Sequence, residues 1–141
     1  MNIYFACSIT GGREFEALYQ VFTRALLEDG HEVPTAYLAE TEVVALEKVV
    51  TPQDVYERDT TWIRACDALI AEVSVPSHGV GYEIGFALGE GKPVLCLAQE
   101  GRPVSKMISG NPHPGLFMRH YTNVEAGIRI MREFLLMACS L

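Results

Sequence analysis

The sequence predicts an α/β fold: a three-layer sandwich around a five-stranded, mostly parallel sheet. Three observations carry that reading. Short apolar runs recur along the chain, each too brief for an ordinary helix. Amphipathic segments with helical spacing lie between them. A glycine-rich stretch, Gly79-Val80-Gly81-Tyr82-Glu83-Ile84-Gly85, then follows the apolar run Ala68-Leu69-Ile70-Ala71-Glu72-Val73, as a strand-to-helix turn would. Strands alternating with helices build parallel sheets covered on both faces.

The elements follow in order. Residues 2–6 read as the first strand. Residues 13–29 read as an amphipathic helix, with Phe15, Leu18, Val21, Phe22, Leu26 and Leu27 on its apolar face and Gly30 closing it. His31-Glu32-Val33-Pro34 reads as a weak second strand whose proline marks an end or an edge. Residues 40–51 fit both a short helix and part of a lid. Thr51-Pro52 starts a further helix, threonine as N-cap and proline at the first position, running to about Cys66. Residues 67–73 are the third strand, 80–90 a helix, and 94–97 the fourth strand after the Gly91-Lys92-Pro93 break. Residues 105–109 suit a single helical turn, Leu116–Tyr121 the fifth strand and Val124–Ala138 a closing helix.

The 141 residues suffice for one domain with a real core, and the reading takes residues 1–141 as that domain. A formal net charge of -7 argues against attachment to a nucleic-acid backbone or an anionic membrane. It leaves room for a small anionic substrate, which backbone N–H groups and hydroxyls can hold. No apolar run approaches the roughly 18 residues of a membrane span. The amino terminus enters a strand without the basic segment of a signal peptide, so a cytoplasmic location is expected. Cys7, Cys66, Cys96 and Cys139 form no Cys-x-x-Cys pair, which suits core residues in a reducing compartment. His31, His78, His113 and His120 show no ligand spacing, so neither a metal nor a cofactor is expected.

The chemistry concentrates at the carboxyl ends of the strands, where open α/β sheets bind their ligands. Glu83 is placed in the first turn or so of the helix after the glycines, where the helix dipole favours an ionised carboxylate. The bland alternative is a glutamate that only complements the helix terminus. Three segments should meet it: residues 4–12, with small residues running into a turn; Arg58-Asp59-Thr60-Thr61-Trp62, an acid in an amphipathic helix; and residues 74–78. No Gly-x-Gly-x-x-Gly or Walker motif is present.

This combination resembles the nucleoside 2-deoxyribosyltransferase superfamily, with its Rossmann-like or flavodoxin-like fold, and within it the 2′-deoxynucleoside 5′-monophosphate N-hydrolases. The anchors are Tyr4-Phe5 with Ser8-Ile9 and Gly11-Gly12-Arg13-Glu14, Asp59 with Trp62, Glu72 through Ser77, Gly79 to Gly85, Gly91-Lys92-Pro93, and Gly101-Arg102 with Ser105, Met107 and Ile108. Each piece is weak alone; their order and spacing together are strong. The resemblance implies that Glu83 attacks C1′ of the sugar and forms a glycosyl-enzyme ester that water hydrolyses. Asp59 becomes the general acid, or the hydrogen-bond partner, of the departing base, and Tyr4 orients Glu83. Ser8, Ile9, Thr10, Gly11, Ser77 and Gly79 hold the substrate. The resemblance also implies a homodimer in which Ser105 crosses to the neighbouring phosphate site.

Ser77 separates close relatives. Transferases acting on free nucleosides carry an aspartate six residues before the catalytic glutamate, and here that position is Ser77. An aspartate repels a 5′-phosphate; a hydroxyl donates to it. The chain departs from the hydrolase pattern at Thr10, where an arginine is usual, and at Cys7, where a glycine is. Arg13, one helical turn on, is either a substitute charge or an ordinary surface residue. Glu72 reads as a hydrogen-bonded structural acid. The rival readings are a deoxyribosyltransferase, opposed by Ser77, and a non-catalytic nucleotide-binding module, opposed by Glu83, Asp59 and Tyr4 occurring together.

Overall fold

The computed structural model describes residues 1–9, 15–39 and 50–141. Its strands are β1 (Ile3–Ala6), β2 (Ala68–Glu72), β3 (Val94–Gln99) and β4 (Leu116–Tyr121), paired in the order β1-β2-β3-β4. All three pairings are parallel, Tyr4 lying opposite Leu69 and Leu69 opposite Val94. The helices are α1 (Glu16–Glu28), α2 (Pro52–Ala65), α3 (His78–Gly89), the short α4 (Lys106–Ser109) and α5 (Val124–Ala138), with a 3₁₀ turn at Ala36–Ala39.

Alternation along the strands assigns side chains to two cores. Ile3, Phe5, Ile70, Leu95 and Leu97 pack under α1 and α5, with Phe22, Leu26, Met131 and Phe134. Tyr4, Ala6, Leu69, Ala71, Val94 and Cys96 face the other way, against Ile63 of α2 and Val80, Ile84 and Ala87 of α3. A sheet buried on both faces reads as continuous apolar runs, as these strands do. Close packing fixes Gly127 of α5: a Cβ there would stand 2.6 Å from the Phe22 ring.

The sheet has four strands, not five. The expected strand at 31–34 is reduced to a single parallel bridge, Asn2 to Glu32, in which Ile3 N–H donates to the Glu32 carbonyl at 2.8 Å. Pro34 has no N–H with which to continue the ladder. The Thr35 hydroxyl takes over instead, accepting from Phe5 N–H at 3.0 Å and donating to the Phe5 carbonyl at 2.8 Å. The edge of β1 is thus closed by a side chain. With this remnant outside β1, the layout follows the flavodoxin-like order.

Helix ends obey their local signals. Gly30, at φ +88, closes α1, and its N–H reaches the Leu27 carbonyl at 3.0 Å. The Thr51 hydroxyl accepts from Asp54 N–H at 3.1 Å to cap α2. The Ser77 hydroxyl accepts from Val80 N–H at 3.3 Å, so α3 starts at His78. That start lies two residues earlier than expected from the sequence and puts Glu83 in the second helical turn rather than the first. The expected lid or helix at 40–51 falls almost wholly outside the described residues. No helix among those residues is long and apolar enough to cross a membrane.

Candidate active site

The site forms on the face of the sheet covered by α2 and α3. β1 turns Tyr4 toward this face, α2 carries Asp59 and α3 carries Glu83. The Tyr4 hydroxyl donates to Glu83 Oε2 in a short hydrogen bond. Asp59 and Glu83 line one cavity of about 230 Å³ between the two helices, with Gly79 beside them and Tyr56, Tyr82 and Phe86 around it. Those rings touch in sequence: Tyr56 against Tyr82, Tyr82 stacked on Phe86.

Burial dominates the electrostatics. Glu83 is pushed up to about 7, first by desolvation and then by the negative charge of Asp59; the Tyr4 hydrogen bond and the Arg58 charge pull the other way. The sequence suggests that the helix dipole favours an ionised Glu83; burial opposes that, and the second-turn position sets the carboxylate further from the helix end. The Tyr4 phenol is raised far above its ordinary value by burial and by the neighbouring carboxylates, which keeps it a donor.

The remaining expected residues are distributed around this pair. Ser8 is fully buried and Ile9 half-buried just after β1. Thr10 and Gly11 lie outside the described residues. Gly79 separates the serine from the carboxylate: a Cβ on it would lie 3.8 Å from Glu83 Oε1 and 4.0 Å from Ser77 Oγ. Ser77 opens on a larger cavity of about 780 Å³, bounded by the first turns of α3 and by residues 103–108. Ser105 lines that same cavity, is exposed, and caps α4 by accepting from Met107 N–H at 3.2 Å. Within one chain, then, Ser105 joins Ser77 but does not line the Asp59–Glu83 cavity.

Other acids and thiols sort themselves out. Glu72 is buried, accepting from Ser74 N–H at 2.7 Å, from the Ser74 hydroxyl at 3.1 Å and from the Tyr121 hydroxyl, as befits a structural acid. Cys7 packs in the α1–α5 core, on the face away from Tyr4. None of the four cysteines forms a disulfide, and burial pushes Cys66 up to about 11 and Cys96 up to about 12. Among the described residues no cluster of His, Cys, Asp and Glu is able to hold a metal.

Sequence reasoning gave no role to Arg58. Its Nε donates to Asp59 Oδ1 at 2.8 Å, and its guanidinium lies over the rings of Trp62 and Tyr37. The i,i+4 spacing of Arg58 and Trp62 on one helix was the available signal.

Fold and site together define an α/β protein with a parallel sheet and an acidic cleft between two helices on one face. More narrowly, the chain belongs to the nucleoside 2-deoxyribosyltransferase family, whose model matches residues 3–130. A Methanosarcina mazei protein named 2′-deoxynucleoside 5′-phosphate N-hydrolase 1 is 42% identical over 134 residues, covering 95% of this chain and 83% of that one. The mouse 5-hydroxymethyl-dUMP N-hydrolase is 44% identical over 113 residues, covering 77% and 65%. The solved structure of the Clostridium botulinum CMP N-glycosidase BcmB superposes with a TM-score of 0.74 at 21% identity, covering 95% of this chain and 99% of that one, a likeness of fold.

Proposed function

We propose that this protein hydrolyses the N-glycosidic bond of 2′-deoxynucleoside 5′-monophosphates, releasing the free base and 2-deoxyribose 5-phosphate. The observation that carries the reading is the Tyr4–Glu83–Asp59 constellation, a carboxylate oriented by a phenol beside a second acid in one small cavity. In the first step a Glu83 oxygen attacks C1′, the C1′–N bond breaks, and the base departs with the electron pair. Asp59 attends that departure as proton donor or as hydrogen-bond partner. Water then attacks C1′, the bond to Glu83 breaks, and the carboxylate is regenerated.

Ser77 and Gly79 stand beside Glu83 and suit a 5′-phosphate better than an aspartate would. Both relatives cited carry names of nucleotide N-hydrolases, which supports hydrolysis over transfer. The catalytic unit is a homodimer in which Ser105 of each protomer serves its partner's phosphate site, supported by the exposure of Ser105 and Met107. The test is incubation with deoxy- and ribonucleoside monophosphates and free nucleosides, with and without an added base, and chromatography of the products. Free base with 2-deoxyribose 5-phosphate is the expected result. Formation of a new nucleoside from added base, or no turnover of any monophosphate, overturns it.

A further inference from the structure

We propose that Arg58 is a positioning residue that keeps Asp59 a carboxylate, so that Asp59 meets the substrate as a hydrogen-bond acceptor and base rather than as a proton donor. The inference rests on the reading of Glu83 as nucleophile and decides the role left open for Asp59.

The geometry is specific. Arg58 Nε donates to Asp59 Oδ1 at 2.8 Å, with the two side chains only 22% and 19% exposed. The guanidinium carbon lies 5.1 Å from the Trp62 ring centroid and 5.6 Å from that of Tyr37, within the range of cation–π attraction. Those rings in turn meet edge to face at 6.3 Å. A solvent-exposed ion pair between adjacent residues would be worth little. Here two rings from different segments hold the cation, and partial burial protects the pair from screening.

The surroundings make the cation matter. Asp59 faces Arg58 on its own helix, Glu83 from α3 and Tyr4 from β1, with Tyr56 and Tyr82 at the rim of the cavity. Two neighbouring carboxylates resist ionising together. The Arg58 guanidinium, hydrogen-bonded to Asp59 and not to Glu83, assigns the first negative charge to Asp59, and its field also favours the ionised form of Glu83. In the first half-reaction ionised Asp59 accepts a hydrogen bond from an N–H of the base, and the departing base takes its proton from solvent. In the second, Asp59 takes a proton from the attacking water as its oxygen bonds C1′, the C1′–Oε bond breaks with its electrons returning to Glu83, and Asp59 passes the proton to solvent.

The experiment is a ¹³C-detected carboxyl titration of the wild-type protein, Arg58→Gln and Arg58→Lys, with Asp59→Asn and Glu83→Gln assigning the resonances. Thermal melts confirm that each variant is folded. In the wild type, Asp59 is expected to lose its proton at lower pH than Glu83. In Arg58→Gln its midpoint rises by about one pH unit or more; Arg58→Lys, which keeps the charge but not the fork, falls between. An Asp59 that stays protonated above the Glu83 midpoint, or a midpoint unmoved in Arg58→Gln, overturns the proposal. Kinetics supply a second readout: Arg58→Gln lowers kcat about tenfold in the wild-type background and less than about twofold on top of Asp59→Asn, whereas independent losses refute action through Asp59. If the wild type turns over no nucleotide, the functional reading fails while the titration still decides the role of Arg58.

Discussion

Replacing Glu83 by glutamine should make the fold more stable while removing its activity, with a pH dependence that identifies the cause. The carboxyl rises from an ordinary value of 4.5 to about 7 because burial penalises its charge. Between those values the native state holds a proton that the unfolded chain has released, so stability falls as pH rises across the window. At about 1.36 kcal/mol per pH unit, an ionised Glu83 costs the fold on the order of 3 kcal/mol above pH 7. Glutamine does not titrate and still accepts a hydrogen bond from Tyr4. The variant should therefore match the wild type near pH 4 and exceed it by up to about 3 kcal/mol at pH 8. Urea denaturation followed by circular dichroism reads this as a midpoint higher by roughly 1–2 M at pH 8 only. Turnover should fall by orders of magnitude with nucleotide affinity largely kept. A stability difference that ignores pH, or a variant less stable than wild type at pH 8, would refute the view that a desolvated carboxylate is held in place for chemistry.

Three further outcomes are expected. The acid limb of kcat/KM should fall near pH 7, since Glu83 must be ionised to attack; Tyr4→Phe, which removes a hydrogen bond to the ionised form, should move that limb upward, and a downward shift contradicts the arrangement. Ser77→Asp keeps an N-cap residue and so should preserve the melting temperature, yet weaken turnover of monophosphates relative to free deoxynucleosides; equal wild-type rates on the two substrate classes would sink the phosphate assignment. Mixing inactive Glu83→Ala with phosphate-defective Ser105→Ala subunits should restore activity, because heterodimers hold one site with neither defect. A chain that runs as a monomer in sedimentation and is fully active speaks against the shared site.

Much of the fold was legible because burial on both faces turns β1, β2 and β3 largely into apolar runs, and most helix starts carry a capping residue. Leu116–Tyr121 and Val124–Ala138 match their expected bounds, and Thr51-Pro52 opens α2 as read. The strand at 31–34 was misjudged because propensity says nothing of a competing side chain, and Thr35 closes the edge from beyond the segment's end. The start of α3 was placed late because the glycines were read as the strand-to-helix turn, whereas the Ser77 hydroxyl caps the helix before them. Glu83 and Asp59 were singled out from their motifs, and the fold brings them to one cavity; their electrostatics were not legible. Desolvation of Glu83 and the approach of the Tyr37 ring to Arg58 depend on elements distant in sequence, whereas the Trp62 contact lies within one helix.

The capping bond of Ser77 and its proposed contact with a phosphate are compatible, and the reason lies in the hydroxyl itself. As a cap, Ser77 Oγ uses a lone pair to accept from Val80 N–H. The O–H proton is not spent in that bond and remains available to an anion. The same backbone turn directs the first N–H groups of α3 outward, where a phosphate finds the positive end of a helix. An aspartate at this position would cap equally well but would offer that anion only negative charge. Folding thus tolerates either residue at 77, whereas a phosphate tolerates one. That asymmetry is why the Ser77→Asp variant tests substrate class with little disturbance of the scaffold.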